Sequence, residues 1–406
     1  MKQWEQTDPL VLVEGMGATL KDDQGREYID GNSSIWTNIH GHRHPVITAA
    51  IQEQLARVAH VSFLGTTNEP AIQLAVRLLD LLPGSGLSRV FYSDDGSTAV
   101  EVALKMSLQY WQLVGEPHRR RFVSFENAYH GDTCGAASLG GLGAFFSRFA
   151  PLQFDPVRIS HPDDLECLEA PGEVAGIVIE PMVQGAAGIR LWPEGTLARL
   201  KAWCLRSGAH LIFDEVLTGF GRTGRMFACQ HEGVYPDFLC LAKGLTGGYL
   251  PLAATLTTQR VYEAFLGEFA ELKTFFYGHS YCGNALACAA ALGSLDVFQQ
   301  ERTMEQLPSL INVLKECLIE LGTLPGVSAV RQCGLISGID LCQSDGSSLD
   351  WRDQTGWRVC FAARNHGLLT RNILDTVVLM PPLCITPEQI RQAARALEMA
   401  IREVIG

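Results

Sequence analysis

Two hydrophobic periods alternate along this chain. Short apolar runs closed by polar residues or glycine read as strands, and longer stretches in which leucine, isoleucine or valine returns every three or four residues read as amphipathic helices. Residues Val11–Gly31 give a small antiparallel unit, with two short strands around the turn at Asp23–Gly25. After Pro45, residues Ile47, Ile51, Leu55 and Val58 share one helical face, and a second helix over 70–82 aligns Leu74, Leu78 and Leu82. Strands follow at Arg89–Ser93, Phe122–Phe125, Gly176–Ile179, 210–213 and Leu252–Thr257. Between them lie a helix carrying Val102, Ala103, Met106 and Tyr110 and another over 194–207. Strand, helix and strand in this order imply one-handed crossovers and a mainly parallel sheet, so the fold class is α/β.

From about residue 300 the pattern changes. A helix with Leu307, Leu310, Leu314, Leu318 and Leu321 leads into alternating segments near 327–342. The last helix opens Thr386-Pro387-Glu388-Gln389, a capping box with proline at the first helical position. Residues 46–300 are expected to form the large domain, and residues 1–45 with 301–406 a smaller α+β domain.

Composition narrows the partners. Thirty-two basic against 44 acidic side chains give a net charge of −12, which argues against nucleic acid or an anionic membrane as the main partner. The 12 cysteines are scattered without a CxxC pair, Cys282 and Cys288 being nearest in sequence. With no signal-like opening and no run of ~18 apolar residues, they read as reduced core thiols of a cytoplasmic protein. His40, His42 and His44 alternate on a loop entering a helix; with no acid or cysteine beside them they are not read as metal ligands, and no metal is expected.

The chemistry concentrates between Leu211 and Gly248. One apolar strand ends on Asp214 and a second apolar run ends on Lys243, with glycines around both. Neighbouring parallel strands open on a common crevice at their carboxyl ends, where ligands of α/β sheets bind. A carboxylate and an amine meeting there suit a cofactor with a basic ring nitrogen and an electrophilic aldehyde, which is the chemistry of pyridoxal 5′-phosphate. Lys243 would form the imine with the aldehyde and carry the proton between the substrate Cα and the cofactor; Asp214 would keep the pyridinium protonated. Gly96-Ser97, where a strand meets a helix, offers a phosphate cradle, although Ser and Asp at such a place also serve as plain helix caps. Tyr129, on a loop after a strand, is suited to stack on an aromatic ring or to sit at a rim. Gly219, Gly221 and Gly224 spell GxGxxG, but five residues separate them from the strand end at Phe213 and no amphipathic helix follows. A dinucleotide fingerprint needs both, so an oxidoreductase reading is set aside.

On these residues the chain resembles the class III (fold type I) aminotransferases along nearly its whole length. The passages that carry the likeness are Asp30–Trp36, Ser93–Met106, Tyr129–Thr133, Asp214–Gly224 and Ala242–Gly248. The resemblance implies Gly96 and Ser97 on the cofactor phosphate and Tyr129 over its ring. Ser280 would reach the phosphate of the neighbouring subunit, making a homodimer with the active site at its interface. It also implies Trp36, Asp132, Gly278 and Arg371 in the substrate pocket, Asp132 suited to an amine. Arg371 would hold a carboxylate, for which its planar fork is fitted. The 93–106 and 129–133 passages point to the branch that aminates 7-keto-8-aminopelargonate to 7,8-diaminopelargonate in biotin biosynthesis. The resemblance implies lysine or S-adenosylmethionine as the amino donor. Ile35, Val378 and the run from Leu272 to Tyr281 are similar to the lysine-using branch, because adenosylmethionine users tend to carry a tryptophan pair and a tyrosine at the first two sites. The family's Trp-His-Pro-aromatic-Thr segment is absent here, so either a more open substrate mouth or a start further upstream is expected. The competing readings are a class III ω-aminotransferase for ornithine, GABA or a polyamine, and an aminomutase of the same fold.

Overall fold

Seven strands build the sheet on which the chemistry rests. They are β1 (Leu87–Ser93), β2 (Arg121–Phe125), β3 (Val157–Ile159), β4 (Val174–Ile179), β5 (His210–Asp214), β6 (Phe238–Leu241) and β7 (Ala253–Thr258). Their order across the sheet is β1-β7-β6-β5-β4-β2-β3. β4, β5 and β6 are buried at every position, as continuous apolar strands covered on both faces must be. All pairs are parallel except those of β7, which runs antiparallel to β6 and β1. Six strands therefore point the same way, and their carboxyl ends share one edge.

The structure is a computed structural model and describes Thr7 and residues 9–406. The chain divides into two compact units, one of Val46–Met304 and one of the residues up to Pro45 with Glu305–Gly406. In the larger unit the helix Gly96–Leu113 lies against the sheet, burying Val100, Val102, Ala103 and Trp111. The Trp111 indole N–H donates to the Ala175 carbonyl at 2.9 Å, pinning this helix to β4. The helix Glu69–Asp80 buries Leu74 and Leu78, and Leu82 just beyond it is also buried. The helix Pro45–Leu55 departs from expectation: Ile47 is buried, but Leu55 and Val58 are 60% and 41% exposed. Their face finds no cover among the described residues of this chain.

The smaller unit holds two four-stranded sheets. Leu12–Met16, Thr19–Asp22 and Glu27–Asp30 form the N-terminal meander, completed by Leu368–Leu369 in parallel to the last of these. The other is antiparallel, in the order Val327–Cys333, Ile336–Leu341, Thr376–Leu379, Arg371–Ile373. The closing helix Pro387–Val404 is capped by Thr386 and Gln389 as the motif predicts, and it buries Ile390, Ala393, Leu397 and Ile401. All twelve cysteines are free, yet Cys134, Cys167 and Cys384 are exposed, so the expectation of core thiols fails for these three. Among the described residues no helix is long and apolar enough to cross a membrane.

Candidate active site

In the larger unit Asp214, Lys243, Gly96-Ser97 and Tyr129 all lie at or after the carboxyl end of a parallel strand, whereas Gly278 and Ser280 come after the antiparallel β7. Asp214 closes β5, and Lys243 lies three residues beyond Cys240, its register partner on β6. Lys243 adopts a positive φ of 43°, a conformation a lysine holds only under constraint. Gly96-Ser97 follow β1, Tyr129-His130 follow β2, and Glu180 follows β4.

Asp214 is 4% exposed and does not stand alone. His130 Nδ1 lies 2.7 Å from its Oδ2, and the Val216 N–H donates to Oδ1 at 3.1 Å. The Nδ1 of His130 is the donor, because an ionised carboxylate can only accept. Burial works against a charge on His130, but the Asp214 hydrogen bond and the Asp214 and Glu180 carboxylates outweigh it, and its pKa is raised. Glu180, itself buried, accepts from the Gly185 N–H at 2.9 Å and the Tyr129 N–H at 3.2 Å. Burial lifts its carboxyl to about 7, with the Asp214 charge adding to the rise and His130 opposing it. Asp214, His130 and Glu180 thus form one charge-coupled cluster. Sequence reasoning missed His130 and Glu180 as site residues. The histidine inside the Tyr-His-Gly-Asp-Thr motif and the acid closing β4 were the available signals.

The Gly96-Ser97 turn answers the choice between cradle and cap. Asp95 is the cap: its side chain accepts from the Thr98 N–H, and Thr98 returns the contact in a capping box. The Ser97 hydroxyl is not used for capping. It accepts from the Thr133 N–H at 3.0 Å and meets Thr133 Oγ1 at 2.7 Å. Thr133 Oγ1 in turn donates to Glu101 at 2.7 Å, so the Ser97 proton points at Thr133. Glu101 also accepts from the Gly135 and Ala136 N–H groups and ties this loop to the helix. Two glycines are needed for the approach. A Cβ on Gly96 would stand 2.5 Å from Val216, and one on Gly131 would stand 2.3 Å from Ser97 Oγ.

The remaining predicted residues are distributed as follows. Tyr129 is half-buried and stacks on Phe146, ring centroids 5.9 Å apart. Asp132, Gly278 and Ser280 are exposed, and the Ser280 carbonyl lies 2.7 Å from His60 Nε2. The loop bearing Ser280 is tied to the cradle's approach by His279 Nδ1, 2.5 Å from Asp94 Oδ2. In the smaller unit, the Arg371 guanidinium carbon lies 5.7 Å from the centroid of the Trp36 ring. His42 turns out to have an acidic neighbour after all, Asp30 at 2.9 Å, and forms a hydrogen-bonded pair with it. The GxGxxG segment leads through turns into the short 3₁₀ helix Ala228–His231, with no α-helix starting there. Glu215 anchors that segment by accepting from the Ala228 N–H at 2.6 Å and the Cys229 N–H at 2.8 Å.

The donor set fits pyridoxal phosphate. A buried carboxylate with its own histidine suits a protonated ring nitrogen, and a lysine follows the adjacent strand. The N–H groups that open the helix at Gly96 and Ser97 suit a phosphate. His130 Nε2 is buried without a hydrogen-bond partner among the described residues, an unused polar atom on the ring that contacts Asp214.

Fold and site together define a pyridoxal-phosphate aminotransferase of fold type I. The chain belongs to the class III aminotransferase family, which it matches over residues 1–401. It is 46% identical to the adenosylmethionine-8-amino-7-oxononanoate aminotransferase of Geobacter sulfurreducens, over 100% of this chain and 95% of that one. The crystal structure of the enzyme of that name from Methanocaldococcus jannaschii superposes with a TM-score of 0.96 at 39% identity, covering 99% of this chain and 95% of the other. An amine transaminase from an uncultivated Pseudomonas species in its PLP-bound form gives a TM-score of 0.92 at 33% identity, covering 98% and 96%.

Proposed function

We propose that this enzyme transfers an amino group to 7-keto-8-aminopelargonate, giving the 7,8-diaminopelargonate of biotin biosynthesis. The observation that carries the reading is similarity along the whole chain to relatives bearing that enzyme's name, 46% in one case. The Trp36–Arg371 pair supports it, because a guanidinium resting on a ring face keeps its N–H fork for a carboxylate.

Bound pyridoxal phosphate supplies an electron-accepting ring on which an amino group is stored between donor and acceptor. The chain's residues do the rest. Lys243 would hold the cofactor and, once freed by substrate, would carry a proton between the substrate Cα and the cofactor's C4′ within each half of the cycle. Asp214, oriented by the His130 hydrogen bond, would pair with the ring nitrogen. The Gly96 and Ser97 backbone N–H groups would hold the phosphate, with the Ser97 hydroxyl turned to Thr133; Tyr129 would cover the ring, and Asp132 would receive the substrate amine. Gly278 leaves room at the pocket wall. Ser280 serves the phosphate of a second subunit, so the working enzyme is a homodimer in the cytoplasm. Support for the dimer comes from large apolar side chains left uncovered on the larger unit, Leu64 at 93% and Phe276 at 72% exposed.

The donor reading that this chain's residues favour is lysine. Adenosylmethionine presents an adenine ring and a sulfonium, which call for aromatic faces, and Ile35 and Val378 offer none. The test is a product assay with 7-keto-8-aminopelargonate, offering lysine and S-adenosylmethionine separately. Diaminopelargonate from lysine alone is expected; turnover with adenosylmethionine alone overturns the donor assignment. Ornithine, GABA or a polyamine as the working substrate, with no product from the keto acid, overturns the acceptor.

A further inference from the structure

The pair that would receive the acceptor's carboxylate rests on unusual backbone. Ser33, Ser34, Ile35 and Trp36 all have positive φ, at 47°, 47°, 68° and 73°. None is glycine, and a β-branched residue such as Ile35 is a true outlier there. Chirality disfavours such a run at each residue, and strain of this kind persists only where the surroundings over-determine it.

Those surroundings are two clamps. Asp30, 2% exposed, is the first. Its Oδ1 accepts from the Asn32 N–H at 3.2 Å and the Ser34 N–H at 3.1 Å, and its Oδ2 accepts from the Ser34 hydroxyl at 3.1 Å. His42 completes this clamp: Asn38 Nδ2 donates to Nδ1 at 3.2 Å, leaving Nε2 to donate to Asp30 at 2.9 Å. The second clamp is the buried Ser33 hydroxyl, which donates to the Met380 carbonyl at 2.8 Å. Between them the turn carries Trp36 to a position where its ring faces the Arg371 guanidinium, 5.7 Å away. Among the described residues the Arg371 side chain makes no hydrogen bond or ion pair, so the ring contact holds it without using its donors.

We propose that the left-handed turn Ser33–Trp36 is a strained platform, clamped by Asp30 and Ser33, that fixes Trp36 beneath Arg371 and so presents the guanidinium to a carboxylate. Ser33 and Asp30 are then positioning residues for carboxylate recognition, and Ile35 is the β-branched position where the strain they hold is concentrated. The inference rests on the proposed role of Arg371. It predicts a specific pattern of coupling. When a clamp is cut, the strain at Ile35 drives the turn away from its working shape; when Ile35 becomes glycine, the largest part of that drive is gone and the clamp matters much less.

The experiment is titration calorimetry of the holoenzyme with the straight-chain carboxylate pelargonate, alongside thermal melts. Ser33→Ala is expected to weaken pelargonate binding roughly fivefold, the effect of one lost hydrogen bond. Ile35→Gly alone is expected to melt at or above the parent temperature. The double variant Ser33→Ala/Ile35→Gly is expected to regain the parent affinity to within about twofold, a coupling that a merely structural hydrogen bond does not produce. Unchanged affinity in Ser33→Ala, or a double variant no tighter than Ser33→Ala, overturns the proposal. If Ser33→Ala does not fold, Ser34→Ala cuts the Asp30 clamp at its exposed end and is read by the same two criteria. A parent enzyme that does not bind pelargonate, or an Arg371→Ala variant that binds it equally well, instead overturns the role of Arg371 and takes this inference with it.

Discussion

Replacing His130 by phenylalanine removes the one side-chain donor to Asp214 among the described residues while keeping the buried volume filled. In the parent, Asp214 Oδ2 accepts from His130 at 2.7 Å and Oδ1 from the Val216 N–H at 3.1 Å. The variant leaves the second contact only. A hydrogen bond to a charged group contributes roughly 1.5–3 kcal/mol. At about 1.4 kcal/mol per tenfold change in an equilibrium constant, its loss corresponds to roughly a 10- to 100-fold weaker interaction. The ring nitrogen of the cofactor then meets a weaker partner, and pyridoxal phosphate affinity is expected to fall roughly 10- to 100-fold. The assay is a titration of the cofactor-free enzyme with pyridoxal phosphate, followed by visible absorption and repeated from pH 6 to 9. His130→Gln, which can still donate, is expected to recover part of the loss. An affinity in His130→Phe within about twofold of the parent would refute the view that His130 orients Asp214 for the cofactor.

Further outcomes follow from the same geometry. Lys243→Ala is expected to yield a protein without the yellow colour of the bound cofactor, and a visible spectrum of the purified variant checks it. Arg371→Ala is expected to raise the KM for the keto acid roughly 10- to 100-fold with little change in kcat, since a charged hydrogen-bonded contact is lost in ground and transition state alike. Gly131→Ala, whose added Cβ would lie 2.3 Å from Ser97 Oγ at a φ of +125°, is expected to weaken phosphate binding. Inorganic phosphate competing less well against the cofactor would reveal it. Glu215 is lifted to about 7 by burial, so the folded chain keeps a proton there that the unfolded chain releases near the ordinary 4.5. Its contribution is therefore present below about pH 4.5 and is lost as pH rises towards 7, on the order of 3 kcal/mol in all. Urea midpoints at pH 5 and 7.5 should differ less in Glu215→Gln than in the parent, although that variant is less stable throughout because its amide faces backbone N–H groups.

The legibility of these features in the sequence follows how local their causes are. Asp214 and Lys243 could be read because each closes an apolar run, and run ends are local. The capping box at Thr386 was readable for the same reason. His130 was not, because its partner lies 84 residues away and only the sheet brings β2 and β5 near each other. The turn at Ser33–Trp36 was invisible, since nothing in Ser-Ser-Ile-Trp favours a left-handed backbone and the clamps that impose it come from Asp30, His42 and Met380. Arg371 and Trp36 entered only through family resemblance; spacing alone would leave Arg371 as a surface residue. The exposed face at Leu55 and Val58 shows the reverse case, where helical periodicity correctly found an apolar stripe but could not tell what covers it.

The sheet's polarity has a practical side. Because six strands aim their carboxyl ends at one edge, the loops at the other edge are insulated from the chemistry by the length of a strand. Gly115–Arg120, ahead of β2, lies about 17 Å from Tyr129's end of that strand. Such loops are natural places to attach fluorophores, affinity handles or a surface linker to this enzyme, and the cofactor's colour then serves as a built-in gauge that the attachment has left the catalytic edge undisturbed.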